Sequence, residues 1–405
     1  MFRCITNVRG LVFDIDSFDG EDVNDLVYLF DEYELLFMTS SEEMAESIAG
    51  SLGDDFVYKT EGFQRFFAPN KHTHTEVLYK LGIQATELVY VSKKISFLRN
   101  AMNFIGGTAW ITDDISYEDA SSAPDLICKS IDMLSYCLEK RVEGFLGEVV
   151  VYPVSHKHEG MIIPAEFESD QGIVPMYMLG RYFGYTHYMS QLHPYSSALY
   201  MNKNERSKSY GKYTAVFRDL ISAAVDRVVD NYQIDGICAV PSRPGKENRF
   251  TGILDAVSRE YNLENFGPQL TCEEDYPSQK SLSYQERQEN IRDVFSFGCQ
   301  LNGESIIIID DIITTGATMN ECINTLCDAG AGEIYIVVLA VNQQGANYWS
   351  SNEIQVSCPY CGSKMHLLIN SGNRSFFYSC YNCRETIDFS NGRKALEKYV
   401  DQEYS

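Results

Sequence analysis

Basic residues are in short supply in this 405-residue chain. Its 33 lysines and arginines face 57 aspartates and glutamates, for a formal net charge of −24 at pH 7. A field of that sign opposes the phosphate neutralisation that drives non-specific nucleic-acid binding. Nucleic acid is therefore open only to a local basic surface and is not indicated by the bulk charge. Long apolar runs are missing as well: no stretch reaches the ~18–20 residues that span a bilayer, which excludes a helical membrane anchor. No charged and then apolar leader is visible either, because Met1-Phe2-Arg3-Cys4 runs on towards the strand-like Leu11-Val12-Phe13. These absences lead us to expect a cytoplasmic protein with no membrane partner, with a homodimer left open. A disulfide framework is not implied by the twelve cysteines. Four of them form two close pairs near the C-terminus, and the other eight are scattered through apolar runs in the manner of buried thiols. The chain is 44% hydrophobic and 22% charged, the balance of a folded globular protein, and it is long enough for two or three domains.

The most informative stretch is Ser305-Ile306-Ile307-Ile308-Ile309-Asp310-Asp311-Ile312-Ile313-Thr314-Thr315-Gly316-Ala317-Thr318. The β-branched run Ile306–Ile309 predicts a strand buried on both faces. Two carboxylates follow where that strand is expected to end. A hydroxyl- and glycine-containing loop comes next, and a helix is predicted over Met319–Ala329, stopped by Gly330. Loop N–H groups and a helix N-terminus suit a phosphate, while carboxylates suit ribose hydroxyls. Together they predict a sugar-phosphate site.

This stretch resembles the PRPP-binding motif of type I phosphoribosyltransferases. Two flanking segments extend the resemblance toward their ComF-like branch: Asp235–Pro244, read as a strand and a tight turn, and Gln279–Asn290. The resemblance covers roughly residues 190–345. It implies that Asp310 and Asp311 bind the ribose hydroxyls and that Thr314, Thr315, Gly316, Ala317 and Thr318 cradle the 5′-phosphate. Ser242 and Arg243 would face the pyrophosphate, with Mg²⁺ as the accompanying cation. Gln279, Arg287 and Asn290 would belong to a mobile lid loop. The implied chemistry is displacement at the anomeric carbon, which needs positioning and leaving-group stabilisation rather than a nucleophilic side chain. One segment departs from the ComF-like pattern: in Asn248-Arg249-Phe250-Thr251-Gly252 only Arg249 and Phe250 fit. The acceptor is thus left undefined.

At the N-terminus, Leu11-Val12-Phe13-Asp14-Ile15-Asp16 reads as a strand leading into two acids, and Leu35–Thr39 reads as a second strand ending in a hydroxyl. Lys71 opens a helical run, and Glu87–Val91 and Gly107–Thr112 supply two further strands. This order resembles a minimal haloacid-dehalogenase-like (HAD-like) domain over residues 1–115. The resemblance implies Asp14 as nucleophile, Asp16 as acid/base, and Thr39 and Lys71 as phosphate ligands. Here too there is a departure. Lys93 and Phe97 stand where that family carries the acids that complete its Mg²⁺ site, which implies a degenerate domain that binds a phosphorylated ligand or only scaffolds the chain.

Residues 116–175 are expected to connect the two domains, with a helix over Asp125–Lys140 and a strand over Gly147–Tyr152. The pairs His72/His74 and His156/His158 lack a partner cluster and read as ordinary hydrogen-bonded or exposed histidines. Residues 176–345 form the predicted transferase-like domain. Its opening stretch, 176–213, is rich in tyrosine, lysine and arginine and reads as a hood, with nucleobase stacking as the other reading. Near the C-terminus, Cys358-Pro359-Tyr360-Cys361 and Cys380-Tyr381-Asn382-Cys383 are two C-x₂-C pairs with a hairpin pattern between them. This predicts a structural Zn²⁺ ribbon over 350–390.

The expected architecture is therefore α/β: a HAD-like Rossmannoid domain, a type I transferase parallel-sheet domain and a Cys₄ zinc ribbon. The expected function is PRPP-dependent phosphoribosyl transfer or release. Three alternatives stay open at this point: a PRPP or nucleotide sensor without turnover, a ComF-like accessory of nucleic-acid processing, and an active HAD phosphatase fused to the transferase.

Overall fold

A computed structural model describes residues 7–18, 23–62, 67–139, 144–151, 160–184, 187–203, 210–273, 291–344, 356–370, 375–392 and 394–395. The protein is α/β. The first sheet holds β1 (Gly10–Asp14), β2 (Glu34–Thr39), β3 (Val57–Lys59), β4 (Leu88–Ser92), β5 (Gly107–Ile111) and β6 (Leu126–Cys128), in the order β3-β2-β1-β4-β5-β6. Every pairing in it is parallel. Alternate residues feed two cores, as strand geometry requires. Val12, Leu36 and Tyr90 pack with Val77, Leu78 and Leu98, whereas Leu11, Phe13, Phe37 and Val91 pack with Leu26, Ile48 and Leu134. The chain winds from β1 out to β3 and then returns to β4 on the other side of β1. That reversal opens a crevice at the carboxyl ends of β1, β2 and β4.

The second sheet contains β7 (Ile163–Ser169), β8 (Gly172–Met178), β9 (Arg181–Tyr182), β10 (Gly236–Ala239), β11 (Glu264–Asn265), β14 (Ile306–Ile313) and β15 (Ile334–Asn342). Its order is β11-β10-β14-β15-β8-β7, with β9 paired to the end of β15. Only the β7–β8 hairpin is antiparallel. β14 lies at the centre, and Ile306–Ile309 are completely buried. Between β11 and β14 in the chain, β12 (Leu270–Cys272) and β13 (Phe295–Phe297) form a separate antiparallel pair. The third sheet is small and antiparallel: β16 (Met365–Ile369), β17 (Phe376–Cys380) and β18 (Thr386–Asp388). Among the described residues, no helix is long and apolar enough to cross a membrane.

Two local expectations are corrected. Leu126-Ile127-Cys128, placed in a helix by the sequence pattern, instead extends the first sheet by pairing with Ala109–Ile111, and the helix begins only at Ile131. Residues Leu146–Val151, expected as a strand, form a short helix. Gly147 packs there so closely under Tyr195 that a Cβ would lie 2.5 Å from the ring, and Glu148 is drawn into a buried ion pair. In both places tertiary contacts outweigh a weak local preference. The span 116–175 is also shared rather than merely connecting: β6 closes the first sheet and β7 begins the edge of the second.

The two large sheets share a continuous apolar core, and a completely buried polar network also joins them. The Arg181 guanidinium is 0% exposed. Its Nη1 donates to Asp125 Oδ1 at 2.9 Å, and its Nε and Nη2 donate to the two oxygens of Glu148 at 2.9 and 3.0 Å. Asp125 Oδ2 in turn accepts from the N–H and hydroxyl of Thr108 on β5, both at 2.9 Å. Phe145 and Phe183 lie 5.1 and 5.5 Å from the guanidinium. Gln343, just beyond β15, adds bonds to Ala123 N–H and the Ala120 carbonyl.

Removing one partner of a buried pair strands the other charge. Asp125→Ala is therefore expected to cost about 3–5 kcal/mol in chemical denaturation. Burial alone would raise the Glu148 carboxyl, but Arg181 and His193 overcome it and hold the group at about 2, below its ordinary 4.5. A depressed carboxyl contributes its stability in full above the unfolded value. That contribution should fade as pH falls from 4.5 towards 2, measurable as a lowered melting temperature across that window.

Candidate functional site

β14 runs four residues further than its buried isoleucines suggest. Ile312 and Ile313 pair with Ala340 and Val341 of β15, so Asp310 and Asp311 lie within the strand rather than at its end. The two carboxyls are driven apart in acidity. Asp310 is raised well above its usual range by burial and by the adjacent Asp311 charge. For Asp311 the same burial is overcome by the Arg249 guanidinium and the Lys203 ammonium, which hold it at about 2. Arg249 pairs directly with Asp311 Oδ2, and Lys203 Nζ lies 3.4 Å from that same oxygen. Lys203 also sits 5.9 Å from the ring of Tyr182. Burial and its neighbour's charge thus push Asp310 toward the neutral form, while Asp311 is held by two cations.

After the strand, the chain turns through Thr314 and Thr315 to Gly316, whose φ of +78° is a left-handed value that favours glycine. Gly316 caps the helix Ala317–Asp328 and, lacking a side chain, gives that N-terminus no side-chain cap bond. The N–H groups of the first helical turn and the positive end of the helix dipole lie at this turn, beside Thr318. The loop is supported by residues distant in sequence. The Tyr117 hydroxyl donates to the Thr314 carbonyl at 2.7 Å. Phe167 fills the space behind Gly316, where a Cβ would come within 2.7 Å of its ring.

The 241–243 turn follows β10 on the same edge of the sheet, because Ala239 is in register with Ile309. Asn248 organises it: its Nδ2 donates to the Val240 carbonyl at 3.0 Å and its Oδ1 accepts from Phe250 N–H. Ser242 bonds the Glu247 carbonyl at 3.3 Å, and Ser242 and Arg243 are both half-buried. The turn leads into Arg249, whose guanidinium lies 5.3 Å from the Phe250 ring. Arg249 is thereby brought to Asp311. Gln279, Arg287 and Asn290 lie outside the described residues.

A second cluster occupies the crevice of the first sheet. Asp14 ends β1, Thr39 ends β2 and Ser92 ends β4, so adjacency of the strands brings them together. Ser92 Oγ donates to Asp14 Oδ2 at 2.7 Å, and burial raises the Asp14 carboxyl. Both oxygens of Asp16 are engaged, by the Thr39 hydroxyl on one side and by Ser40 N–H and hydroxyl on the other. Lys94 Nζ donates to the Asp16 backbone carbonyl at 3.0 Å. This donor set suits a divalent cation poorly: both Asp16 carboxylate oxygens and Asp14 Oδ2 are engaged in hydrogen bonds, and an ammonium stands at the Asp16 carbonyl. Lys71 opens the helix Lys71–Leu81 and is exposed. Of the paired histidines, His74 is buried and shares a bond with the Tyr90 hydroxyl at 2.8 Å, while His156 and His158 lie outside the described residues.

The third cluster is formed by Cys358, Cys361, Cys380 and Cys383, whose sulfurs all lie within 4.8 Å of one another. Two Sγ–Sγ separations are 3.5 Å. Tetrahedral zinc thiolate bonds of about 2.3 Å place sulfurs about 3.8 Å apart, so the cluster fits one closed four-thiolate site. The β16–β17 register of Met365 with Cys380 ties the hairpin to the second knuckle, and Cys358 and Cys380 are buried. Elemental analysis of purified protein should find about one zinc per chain. Cys380→Ser should lower that stoichiometry and loosen the β16–β18 sheet, read as faster amide exchange there.

Sequence reasoning passed over Tyr117, Phe167 and Asp125. The Tyr117 bond to Thr314 joins residues 197 apart, and no local pattern announces it. Lys203 was legible only as one base in an aromatic stretch, and Arg249 only as a partial motif match.

Comparisons with known proteins bear on this site. The family model described as "Phosphoribosyl transferase domain" matches residues 277–364, a span that contains the acid pair and the Gly316 loop. No curated protein matches the chain. Among solved structures, an adenine phosphoribosyltransferase is similar at 14% identity with a TM-score of 0.23, covering 35% of this chain and 82% of that one. The UMP synthase of Leishmania donovani is similar at 12% identity with a TM-score of 0.22, covering 84% of this chain and 87% of that one.

Proposed function

We propose that the protein binds Mg-PRPP at the carboxyl edge of its second sheet and transfers or releases ribosyl 5-phosphate, with pyrophosphate as the leaving group. One observation carries this reading: an acid pair on β14 is followed at once by a glycine-bent loop and an uncapped helix N-terminus, inside the segment that matches a phosphoribosyl transferase domain. Thr314 to Thr318 would hold the 5′-phosphate through loop and helix N–H groups. Asp310 and Asp311 would accept hydrogen bonds from, or share protons with, the ribose hydroxyls. Ser242 and Arg243 would face the pyrophosphate. Magnesium, arriving with the substrate phosphates, would neutralise the leaving group.

The ion pairs of Asp311 give this site a particular character. Arg249 and Lys203 keep Asp311 ionised, so it is ready to accept a hydroxyl proton donor. When a ribose takes that oxygen, the two cations are displaced toward the incoming phosphates. Catalysis would rest on this placement of charge and on orientation, with no nucleophilic side chain. The acceptor would enter beside Tyr182 and Lys203. We read the N-terminal unit as a degenerate HAD-like domain that scaffolds or binds a phosphorylated ligand, with Asp14, Asp16, Thr39 and Lys71 as its remaining motif positions. The C-terminal unit would be a structural zinc ribbon.

A second reading, a nucleic-acid-processing accessory, draws on the surface of the ribbon. Tyr360 and Tyr381 are 68% and 64% exposed, and His366 stacks on Tyr381 at 4.2 Å. Exposed rings of this kind can stack bases. On this reading a salt-sensitive gel shift with single-stranded DNA would be lost in Tyr360→Ala/Tyr381→Ala.

Titration calorimetry with Mg-PRPP tests the leading proposal. Wild type should bind, and Asp310→Asn/Asp311→Asn should weaken binding by at least about 30-fold, since a charged hydrogen bond at Asp311 is worth about 1.5–3 kcal/mol and a neutral one at Asp310 about 0.5–1.5 kcal/mol. Absence of heat with wild type, or unchanged affinity in the double variant, would sink the reading. Pyrophosphate release with candidate bases separates an enzyme from a sensor.

A further inference from the structure

The loop after β14 is supported by Phe167 of its own sheet and by Tyr117 from the other half of the molecule. Tyr117 lies on the short helix Tyr117–Ala120, which follows β5 of the first sheet. Its hydroxyl bonds the Thr314 carbonyl at 2.7 Å, and its ring meets Phe167 edge-on at 5.3 Å. Phe167, 3% exposed on β7, closes the space behind Gly316. The helix that carries Tyr117 is itself fixed. Ser116 caps it by accepting from Asp119 N–H, and Asp119 pairs with Arg99 of the helix Ile95–Ala101 at 3.0 Å. Glu166 N–H donates to the Ile115 carbonyl at 2.7 Å, which pins the start of this segment to β7, one residue from Phe167. Tyr117 therefore reaches the loop from a rigid base, and it does so at a backbone carbonyl. This bond takes up none of the loop N–H groups.

We propose that Tyr117, a residue of the N-terminal half, is a positioning residue of the phosphate loop, setting its affinity for the 5′-phosphate of a phosphoribosyl ligand. The inference rests on the PRPP reading above and deepens it. The transferase-like site is then a joint product of both large units: the second supplies the groups that touch ligand, and the first fixes the loop that holds its phosphate. A bond to the Thr314 carbonyl orients the peptide that leads into Gly316, and Phe167 limits how far that turn can retreat. Loss of the bond would let the loop sample other conformations, and the phosphate would then bear the cost of ordering it.

The test compares ligands with and without a 5′-phosphate on the full chain. Tyr117→Phe keeps the ring against Phe167 and removes only the hydroxyl. It should weaken Mg-PRPP and ribose 5-phosphate by about three- to ten-fold, the worth of one neutral hydrogen bond. Mg-pyrophosphate, which has no 5′-phosphate, should bind as it does to wild type. Phe167→Leu, which keeps an apolar filler but loosens the support behind Gly316, should show the same pattern and provides a second arm should Tyr117→Phe fold poorly. Equal affinity of wild type and both variants for PRPP overturns the proposal while leaving the PRPP reading intact. Equal losses for PRPP and pyrophosphate also overturn it, since a general loosening of the fold would account for them. Failure of wild type to bind PRPP overturns both.

Discussion

Much of this molecule hangs on one buried guanidinium. Arg181 is 0% exposed, and its charge is tolerable there only because Asp125 and Glu148 both meet it. These partners come from different places: Asp125 immediately precedes β6 of the first sheet, and Glu148 sits on the helix Leu146–Val151. The triad thus binds together the edge of the first sheet, the segment between the sheets and β9 of the second. Such a network contributes little net stability over an apolar substitute, but separating its members strands a buried charge. Here that penalty opposes separation of the two halves. The residue after Arg181 shows what the docking controls. Tyr182 faces the other way, and its hydroxyl is raised by burial and by the Asp311 charge.

From that constraint the electrostatics of the candidate site follow. Asp311 is a carboxylate in a buried setting, and it stays ionised only because Arg249 and Lys203 stand beside it. Lys203 follows the helix Pro194–Met201, whose Tyr195 hydroxyl bonds the Leu339 carbonyl of β15 at 2.8 Å. Arg249 precedes the helix Thr251–Tyr261, positioned by Asn248. Two separate helices therefore deliver one charge each to a single oxygen of β14. Asp310 has no such pair of cations and is pushed toward its neutral form. Two adjacent carboxyls of opposite tendency are thereby set side by side.

Legibility in the sequence tracked the range of the forces involved. The β14 strand, the Gly316 loop and the helix behind it were readable because each depends on neighbours a few residues away: β-branched burial, a left-handed turn and an N-terminus. The four cysteines were readable because zinc geometry fixes spacing as well as residue type. What could not be read depends on the assembled fold. Leu126-Ile127-Cys128 is a strand only because β5 offers a free edge, and Leu146–Val151 is a helix because Tyr195 and Arg181 claim Gly147 and Glu148. Arg181 read only as one base in an aromatic stretch, although its charge is spent entirely inside the protein. Tyr117 lay outside the span assigned to the transferase-like domain, with nothing in its surroundings to suggest that it ends at Thr314.

The N-terminal half can be understood in the same terms. Its acids sit where a doubly wound sheet ordinarily does chemistry, yet Asp16 is fully engaged by Thr39 and Ser40, and Lys94 lies against its carbonyl. That crevice is arranged to satisfy its own charges. Other parts of the same sheet carry a heavier structural duty. Thr108 on β5 orients Asp125 for Arg181, and the segment after β5 places Tyr117 against the loop of the second sheet. Thr108, Asp125 and Tyr117 are each held at fixed positions by these bonds. The departure of Lys93 and Phe97 from a metal-binding pattern is consistent with that division of labour. The N-terminal half would then serve the second site through its shape, whatever it binds itself.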